Sequence, residues 1–310
     1  MWSERDRWSA SVAGEGVPPD TGAGSHPRRV IVSADDFGLS PGVNAGIIDA
    51  HTHGILTNAS LMVNGAAFAQ AVELARRNPS LGVGLHLVLA QGRAACEHRQ
   101  IPGLVDAEGM FRNNAVVVGF RYFFTPGLRA QLRLEIRAQL DKFRSTGLPL
   151  SHVDGHLNIH MHPTVLAILL DIAAEYGIRA LRLPREPLAI SLGLDSTERV
   201  RKTAESITFR ALAAYNAPRI AARDVRVVDQ MFGLHQSGHM TERYLLGLIA
   251  RLPPGVTEIY THASIVDAEA RRWRPLTYEC EGELAALKSP HVREALDRAG
   301  VRCIRYDELG

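Results

Sequence analysis

From residue 28 onward, short apolar runs rich in β-branched residues alternate with longer segments that carry apolar residues at helical spacing. This alternation is typical of repeated strand–helix units, in which each helix returns the chain so that successive strands pair in parallel. The clearest unit is the run VIVSA at 30–34, followed by Ser40 and Pro41 as a helix cap and a first-turn residue. Further runs bring the number of strands to about eight, which favours a barrel over an open sheet. These runs lie at 55–63, 82–89, 149–153, 180–184, 225–229, 258–262 and 301–306.

We therefore predict an α/β fold, a distorted or incomplete TIM-like (β/α) barrel that forms a single domain over residues 28–310. The segments 90–127 and 185–224 fit no strand–helix unit and are predicted to be insertions. Loops of this length in a compact domain are usually functional. Residues 1–27 are rich in Gly, Pro and Ser and lack a central apolar stretch, which predicts a flexible N-terminal extension and not a secretion signal.

The overall charge and the cysteines limit the setting in which the protein works. The chain has 35 basic and 33 acidic residues, so it offers no general electrostatic reason to bind nucleic acid. No apolar run is long enough to span a bilayer. Cys96, Cys280 and Cys303 form no CxxC motif and cannot all pair, which favours a reducing cytoplasm. Peripheral contact with the inner face of the membrane and a homodimer both remain open.

Polar residues that can bind a metal or move a proton lie at the ends of the predicted strands. In a barrel of parallel strands all carboxyl ends face the same way, so residues far apart in sequence meet there. We therefore expect one functional site built from six such residues, namely Asp35, Asp36, His86, Asp154, His156 and His262.

Taken singly, most of these residues are weak signals. An Asp-Asp pair suits a turn or a helix cap, and one histidine in an apolar run is often a hydrogen-bonded core residue. The segment SHVDGHLNIHMHP at 151–163 is more specific, because it holds four histidines and one aspartate in thirteen residues. They cannot all bind one ion, so we expect one or two of His152, His160 and His162 to support the ligands or to contact the substrate.

Two histidines and one carboxylate would leave a divalent ion with open positions for water and substrate, as in catalytic metal sites. Such an ion lowers the pKa of its water to about 7 and polarises a carbonyl group. Amide hydrolysis also needs a base for the attacking water and an acid for the departing amine. Because neighbours on an extended segment point to opposite sides, Asp35 and Asp36 should serve different roles, one as a ligand and the other as a base.

Four segments together resemble the YdjC-like carbohydrate deacetylase family, which includes the chitooligosaccharide deacetylases. They are VIVSADDFGLSPGVNAGI, GLHLVL, SHVDGH with the following histidines, and YTHAS, and the likeness covers roughly residues 28–265. The segments GLHLVLAQGR, IPGLVDAEGMFR and LRLEIRAQLDKFRSTGLPLSHVDGH also resemble the hopanoid-biosynthesis-associated branch called HpnK. Members of that branch are understood to deacetylate an N-acetylglucosaminyl hopanoid.

The resemblance implies a barrel fold and a role for each of five residues. Asp36, His86 and His156 would bind one divalent ion, magnesium or zinc, and Asp35 would be the general base. His262 would act as an acid or as a stabiliser of the oxyanion. The partner would be an N-acetylated sugar or a glycolipid. For a glycolipid we expect an apolar lip beside the cleft, with candidates in the segment 116–124 and at Ile207, Phe209, Leu212 and Tyr215.

Several other functions fit the same residues. The enzyme could deacetylate chitooligosaccharides or other carbohydrates, or hydrolyse another amide or ester. A glycosidase could use Asp35 with Asp154, since that reaction needs two carboxylates flanking the bond and no metal. A non-catalytic sugar-binding protein could retain the barrel and the ion.

Overall fold

The computed structural model describes residues 27–309, so the extension predicted at 1–27 lies outside the described residues except for Pro27. The strands of this part are β1 (Arg28–Phe37), β2 (Asn58–Leu61), β3 (Gly82–Leu87), β4 (Val153–Gly155), β5 (Gln230–Phe232), β6 (Gly255–Thr261) and β7 (Arg302–Cys303). The α-helices are α1 (Pro41–His53), α2 (Phe68–Arg77), α3 (Ala115–Phe124), α4 (Leu128–Arg144), α5 (Pro163–Tyr176), α6 (Leu188–Leu194), α7 (Arg199–Ala221), α8 (Glu242–Ile249), α9 (Ala268–Trp273), α10 (Cys280–Lys288) and α11 (Pro290–Arg298).

The strands pair in parallel in the order β4-β3-β2-β1-β6-β5, and β7 pairs with the first residues of β1. The gap between β4 and β5 is closed by isolated bridges, Val153 with Leu181 and Ala180 with Arg226. The predicted strands at 180–184 and 225–229 are thus reduced to single-residue bridges, and β5 follows the second of them. The prediction of a distorted, single-domain (β/α) barrel is confirmed.

The alternation of side chains along β1 separates the inside of the barrel from the helix layer. Val30, Val32 and Ala34 belong to the large core between sheet and helices. Ile31 belongs to a separate small core inside the barrel, together with residues such as Val256 and Ile304. Since side chains on a strand alternate, Ser33 and Asp35 follow Ile31 into the interior. The barrel is therefore apolar where the strands begin and polar where they end.

Local signals set the helix boundaries near the site. Ser40 accepts a hydrogen bond from the Val43 backbone N–H and begins α1, as its sequence predicts. His162 caps α5, and Gly177 ends that helix in the left-handed region, which glycine adopts without strain. The segment 90–127 contains α3, and the segment 185–224 contains α6 and α7. Among residues 27–309, no helix combines the length and the apolar character that crossing a bilayer requires.

Candidate metal and catalytic site

A cleft opens at the carboxyl ends of the strands. Its larger part, here called the main cleft, has a volume of about 660 Å³, and a side pocket of about 380 Å³ joins it. The two share five lining residues, Asp36, Gln91, His156, Trp273 and Arg274. Five of the six predicted site residues line the main cleft, namely Asp35, Asp36, His86, His156 and His262, whereas Asp154 does not.

A break in the regular backbone of β1 turns two adjacent carboxylates toward this cleft. Asp36 has a φ of 68°, and the register between β1 and β2 shifts between Ala34 and Phe37. In a regular strand Asp35 and Asp36 would point to opposite faces. The prediction that they do so is wrong, because the left-handed residue brings both side chains to one side. The two carboxylates bind different arginines, and that they have different roles stays a prediction.

The strained backbone positions of the described chain are confined to this cleft. The non-glycine residues with positive φ among residues 27–309 all line the main cleft, and they are Asp36, Gln91, Leu157, Asn158 and Glu198. A residue held in such a conformation costs about 1–3 kcal/mol and persists only where its surroundings demand it. The concentration of strain marks the cleft as the functional part of the barrel.

Asp36, His86 and His156 meet at one point. The distance from Asp36 Oδ1 is 3.5 Å to His86 Nε2 and 3.3 Å to His156 Nδ1, and the potential ligand atoms all lie within 4.8 Å of one another. Asp36 Oδ1 is buried and has no hydrogen-bond partner in the described part of the chain. A buried carboxylate oxygen without a partner is costly, because its desolvation is not compensated. The donor set and the unpartnered oxygen therefore fit a bound cation.

His86 is held in the orientation that a metal ligand needs. Its Nδ1 donates to Asp154 Oδ1 over 2.8 Å, which leaves Nε2 directed toward Asp36. A carboxylate behind an imidazole fixes its tautomer and increases its basicity. Burial opposes a charge on His86, but Asp154, Asp35 and Asp36 raise its pKa to about 9. The surrounding carboxylates thus favour a positive charge here, which a cation can supply by displacing the proton.

Arg274 holds the other oxygen of Asp36. Its Nε and Nη2 donate to Asp36 Oδ2 over 3.0 and 2.9 Å, and its Nη1 donates to the His262 carbonyl over 2.8 Å. Burial would raise the pKa of Asp36, but Arg274 and then His156 bring it well below its usual value. The carboxylate is therefore ionised, with one oxygen bound to Arg274 and the other free to face the histidines.

Arg182 gathers three carboxylates beneath the cleft. It donates to both oxygens of Asp35 over 2.8 Å, and it pairs with Asp154 over 2.8 Å and with Glu258 over 2.9 Å. Tyr306 donates its hydroxyl to the other oxygen of Glu258 over 2.5 Å. We call Arg182, Asp35, Asp154, Glu258 and Tyr306 the buried ionic network.

This network limits what Asp154 can do. The Asp154 side chain is fully buried, its oxygens accept hydrogen bonds from His86 and Ser60, and it forms an ion pair with Arg182. A glycosidase needs two carboxylates that flank the substrate bond. Because Asp154 does not line the main cleft while Asp35 does, the geometry disfavours that pair.

His262 directly follows β6 and faces the same cleft. Its backbone N–H donates to Glu283 Oε2 over 2.5 Å, and its ring lies 5.1 Å from that of Tyr278. Burial lowers the pKa of His262 to about 4, so the imidazole is neutral at pH 7. Its Nδ1 is buried and has no hydrogen-bond partner among residues 27–309.

The remaining histidines of the 151–163 segment line neither the main cleft nor the side pocket. His152 bonds to the hydroxyls of Ser60 and Ser151, and its ring stacks on Tyr306 at 4.2 Å. His160 Nε2 donates to the Arg182 carbonyl over 2.9 Å, and His162 caps α5. His152 and His160 thus pack against the buried ionic network, a supporting place in the structure.

Sequence analysis did not identify Arg182, Arg274, Glu258 or Glu283 as part of the site. Arg182 carried a usable signal, because it interrupts the otherwise apolar run ALRLP. Arg274 carried none, since the cluster RRWRP is equally typical of a solvated surface.

Comparisons with known proteins agree with the resemblance to the YdjC-like family. A carbohydrate deacetylase of Brevibacillus brevis is 32% identical over 284 residues, which cover 91% of this chain and all of the relative. A carbohydrate deacetylase of Geobacillus stearothermophilus is 32% identical over 91% of this chain and 98% of its own. A solved structure from Enterococcus faecalis is 25% identical, has a TM-score of 0.68, and is matched over 92% of this chain and 99% of its own. The model for the family described as YdjC-like protein matches residues 29–298, and the chain therefore belongs to the YdjC-like family.

Proposed function

We propose that this protein is a metal-dependent hydrolase that removes the acetyl group from an N-acetylated amino sugar. The observation that carries the proposal is the unpartnered Oδ1 of Asp36, which faces His86 and His156 beside the Arg182-bound carboxylate of Asp35. The relatives named carbohydrate deacetylase, at 32% identity over 91% of the chain, support the reaction class.

Asp36, His86 and His156 would hold one divalent ion. Two imidazoles and one carboxylate suit zinc better than magnesium, which prefers oxygen ligands, and the two ions remain the candidates to compare. When bound, such an ion polarises the amide carbonyl and acidifies a water molecule. Arg274 restricts Asp36 to one free oxygen, and Asp154 directs the His86 ring, so the ligands are preorganised by their neighbours.

Asp35 would accept the proton of the attacking water. Arg182 donates one hydrogen bond to each of its oxygens, and each carboxylate oxygen has a second lone pair left for a further hydrogen. The two parallel bonds fix the plane of the carboxylate in the cleft. His262 is neutral, and its Nδ1 has no hydrogen-bond partner among the described residues, so it would donate a hydrogen bond to the developing oxyanion from its protonated ring nitrogen. Alternatively it would take up the proton that Asp35 removes from the water and pass that proton to the departing amine.

For the substrate we propose an N-acetylglucosaminyl hopanoid, the compound class of the HpnK branch. The support is the apolar character of the cleft rim. The 3₁₀ segment His156–Met161 lies between α3 and α7 and contacts both helices. Large apolar side chains of these elements are exposed to solvent or line the cleft, and they are Val116, Val117, Phe120, Phe123, Phe124, Leu157, Ile207, Phe209 and Tyr215. A mostly apolar aglycone needs such a rim, whereas a soluble chitooligosaccharide does not.

The catalytic part of the proposal is tested with two aspartate variants of the full chain. We expect Asp36→Asn to lose zinc binding in calorimetry together with turnover. Asp35→Asn should keep zinc binding and lose turnover by about 10²–10⁴-fold, the usual contribution of a general base. His162→Gln, which lies outside the cleft, is the control and should retain both. If Asp35→Asn kept full turnover, or if the wild-type protein bound no divalent ion, the mechanism would be refuted.

The substrate part is tested by mass spectrometry of purified protein incubated with hopanoid glycolipids. We expect N-acetylglucosaminyl hopanoid to lose the mass of one acetyl group, and glucosaminyl hopanoid to remain unchanged. Chitobiose and longer N-acetylated oligosaccharides serve as competing substrates. Faster deacetylation of these sugars than of the hopanoid would favour the chitooligosaccharide alternative. Sugar binding without release of acetate from any of them would favour a non-catalytic protein.

A further inference from the structure

Helix α3 carries two apolar faces, and one of them points to solvent. Val118 and Tyr122 are buried against the barrel. The side chains on the other face are 45–70% exposed, and they are Val116, Val117, Phe120, Phe123 and Phe124. At about 100° per residue these five positions fall within an arc of about 120°. The helix thus presents a continuous apolar stripe of the kind that normally packs against a core.

Nothing within residues 27–309 covers this stripe, although its aromatic side chains are ordered against one another. The Phe123 and Phe124 rings lie 5.0 Å apart at 74°, and the Phe120 and Phe124 rings stack at 6.1 Å. Removing a large apolar side chain from water is favourable, and the gain grows with the apolar area that is buried. The free energy available from burying the three phenylalanines and two valines of α3 is therefore substantial, and the described chain does not bury them.

The stretch of chain that contains α3 is basic in sequence. Between Glu108 and Glu135 the chain has no acidic residue and has four arginines, at 112, 121, 129 and 133. Arg129 and Arg133 share Asp171, over 3.9 and 2.6 Å. Arg121 lies on α3 beside the stripe and donates to the Gly103 carbonyl, Arg112 lines the same groove as Arg121, and neither forms a salt bridge with a described residue. An apolar stripe bordered by arginine is complementary to a lipid surface that carries anionic headgroups.

The position of α3 relates this surface to the cleft. The Thr164 hydroxyl donates to the Tyr122 carbonyl, and the Phe123 ring lies 6.3 Å from that of His162. The helix also contacts the segment His156–Met161, which begins with a proposed metal ligand. A surface bound by the exposed stripe would therefore lie next to the entrance of the main cleft.

We propose that α3 seats this protein on an anionic lipid bilayer, with its exposed apolar stripe in the headgroup region. The helix is about 15 Å long, so the stripe is small against the roughly 800 Å² that each partner buries in a standard protein interface. Interfacial helices enter the bilayer by about 5–10 Å, a depth that five side chains can fill. The inference deepens the proposed glycolipid substrate, since an apolar aglycone resides in such a bilayer.

The test measures binding of the full-length protein to sedimenting vesicles, either of pure phosphatidylcholine or of phosphatidylcholine with phosphatidylglycerol. We expect tighter binding to the anionic vesicles. The double variant Phe120→Ser, Phe124→Ser should bind them at least roughly tenfold more weakly. The matched control Val200→Ser, Leu276→Ser removes two side chains that are 86% and 88% exposed elsewhere, and it should bind as the wild type does. Arg112→Gln should weaken binding to anionic vesicles and leave weak binding to neutral ones unchanged.

Equal binding by the α3 variant and the wild type would overturn the proposal. A second result would also overturn it. If light scattering showed that the wild type is a dimer, and that the same variant is a monomer which still binds lipid as the wild type does, a second copy of the chain would be the partner of the stripe. Deacetylation of a soluble N-acetylated sugar is measured in parallel. A variant that loses vesicle binding and keeps this activity supports the proposal, whereas an inactive wild type that still binds vesicles refutes the proposed function alone.

Discussion

The buried ionic network and helix α3 invert the usual distribution of side chains in opposite ways. The network places an arginine and three carboxylates inside the barrel at exposures below 5%, whereas α3 leaves phenylalanines 52–70% exposed. Charged residues are rarely buried unless they are paired, and large contiguous apolar patches are rarely exposed. The difference is that every charge of the network has its partner within the described chain, whereas the stripe on α3 has none there. The barrel interior is thus complete by itself, and the stripe is complete only against another surface.

Removing Arg182 should have the largest effect on folding, because three carboxylates would lose their shared partner. We expect Arg182→Met to lower the free energy of unfolding by about 3–5 kcal/mol, as for other broken buried ion pairs. Urea denaturation monitored by circular dichroism measures it. Arg133→Met, which removes a half-exposed partner of Asp171, is the control and should cost about 1 kcal/mol or less. Equal losses of unfolding free energy in the two variants would show that the buried ionic network stabilises the fold no more than a surface ion pair does.

The buried histidines beside the network should make stability fall in acid. Burial lowers the pKa of His152 to about 4, against 6.5 for the free side chain, so the folded state resists a proton that the unfolded state accepts. This stability is fully present above pH 6.5 and is lost as the pH falls toward 4. Protonation of His152 alone should therefore lower the free energy of unfolding by about 2 kcal/mol from pH 8 to pH 5.

This pH dependence of the free energy of unfolding is measured by urea denaturation at pH 8 and at pH 5. In His152→Gln the difference between the two should be smaller than in the wild type by about the same 2 kcal/mol. His53→Gln, at an exposed position on α1, is the control and should keep the wild-type difference. An unchanged difference in His152→Gln would show that His152 is protonated as easily in the folded state as in the unfolded one.

Removing the hydroxyl of Tyr306 tests how much a single hydrogen bond of the buried ionic network contributes to stability. Tyr306→Phe removes the hydrogen bond to Glu258 Oε2 and leaves the ring stacked on His152. Since burial already raises the pKa of Glu258, the loss of a donor leaves a buried oxygen without compensation. We expect a cost of about 1–2 kcal/mol in the same urea experiment. A cost near zero would mean that Glu258 is satisfied by Arg182 alone.

The contrast between the buried ionic network and the stripe on α3 also separates the features that the sequence predicts from those that it does not. The fold follows from the periodicity of apolar residues, and six candidate site residues follow from the convergence of the carboxyl ends of parallel strands. The choice of Asp36, His86 and His156 as the ligands comes from the family resemblance. The shared orientation of Asp35 and Asp36 was not predictable, since it depends on one residue with a φ of 68°. Propensity does not reveal such a residue, because the surrounding structure imposes it.

The partners of the ligands were harder still to predict. Arginine and glutamate are normally assigned to the surface, so an arginine within the apolar run ALRLP indicates an unusual position but does not predict that Arg182 pairs with Glu258 inside a barrel. Their burial depends on mutual pairing across 76 residues of sequence, which no local pattern records. The stripe on α3 shows the opposite case: the segment 116–124 was noted as apolar, yet only the structure shows that two of its residues face the barrel and five face solvent.

The smallest effect on folding is expected on α3, and it sharpens the comparison because both faces of one helix can be tested. Phe120→Ser with Phe124→Ser changes side chains that are 62% and 70% exposed, so the free energy of unfolding should stay within about 0.5 kcal/mol of the wild type. Val118→Ser, on the buried face and 2% exposed, should cost about 2 kcal/mol or more, since it loses core contacts and buries a hydroxyl. Urea denaturation of the three proteins at pH 8 compares them directly. If the phenylalanine variant were as unstable as the valine variant, the stripe would be packed within the chain, and the contrast between a self-contained interior and an uncovered surface would not hold.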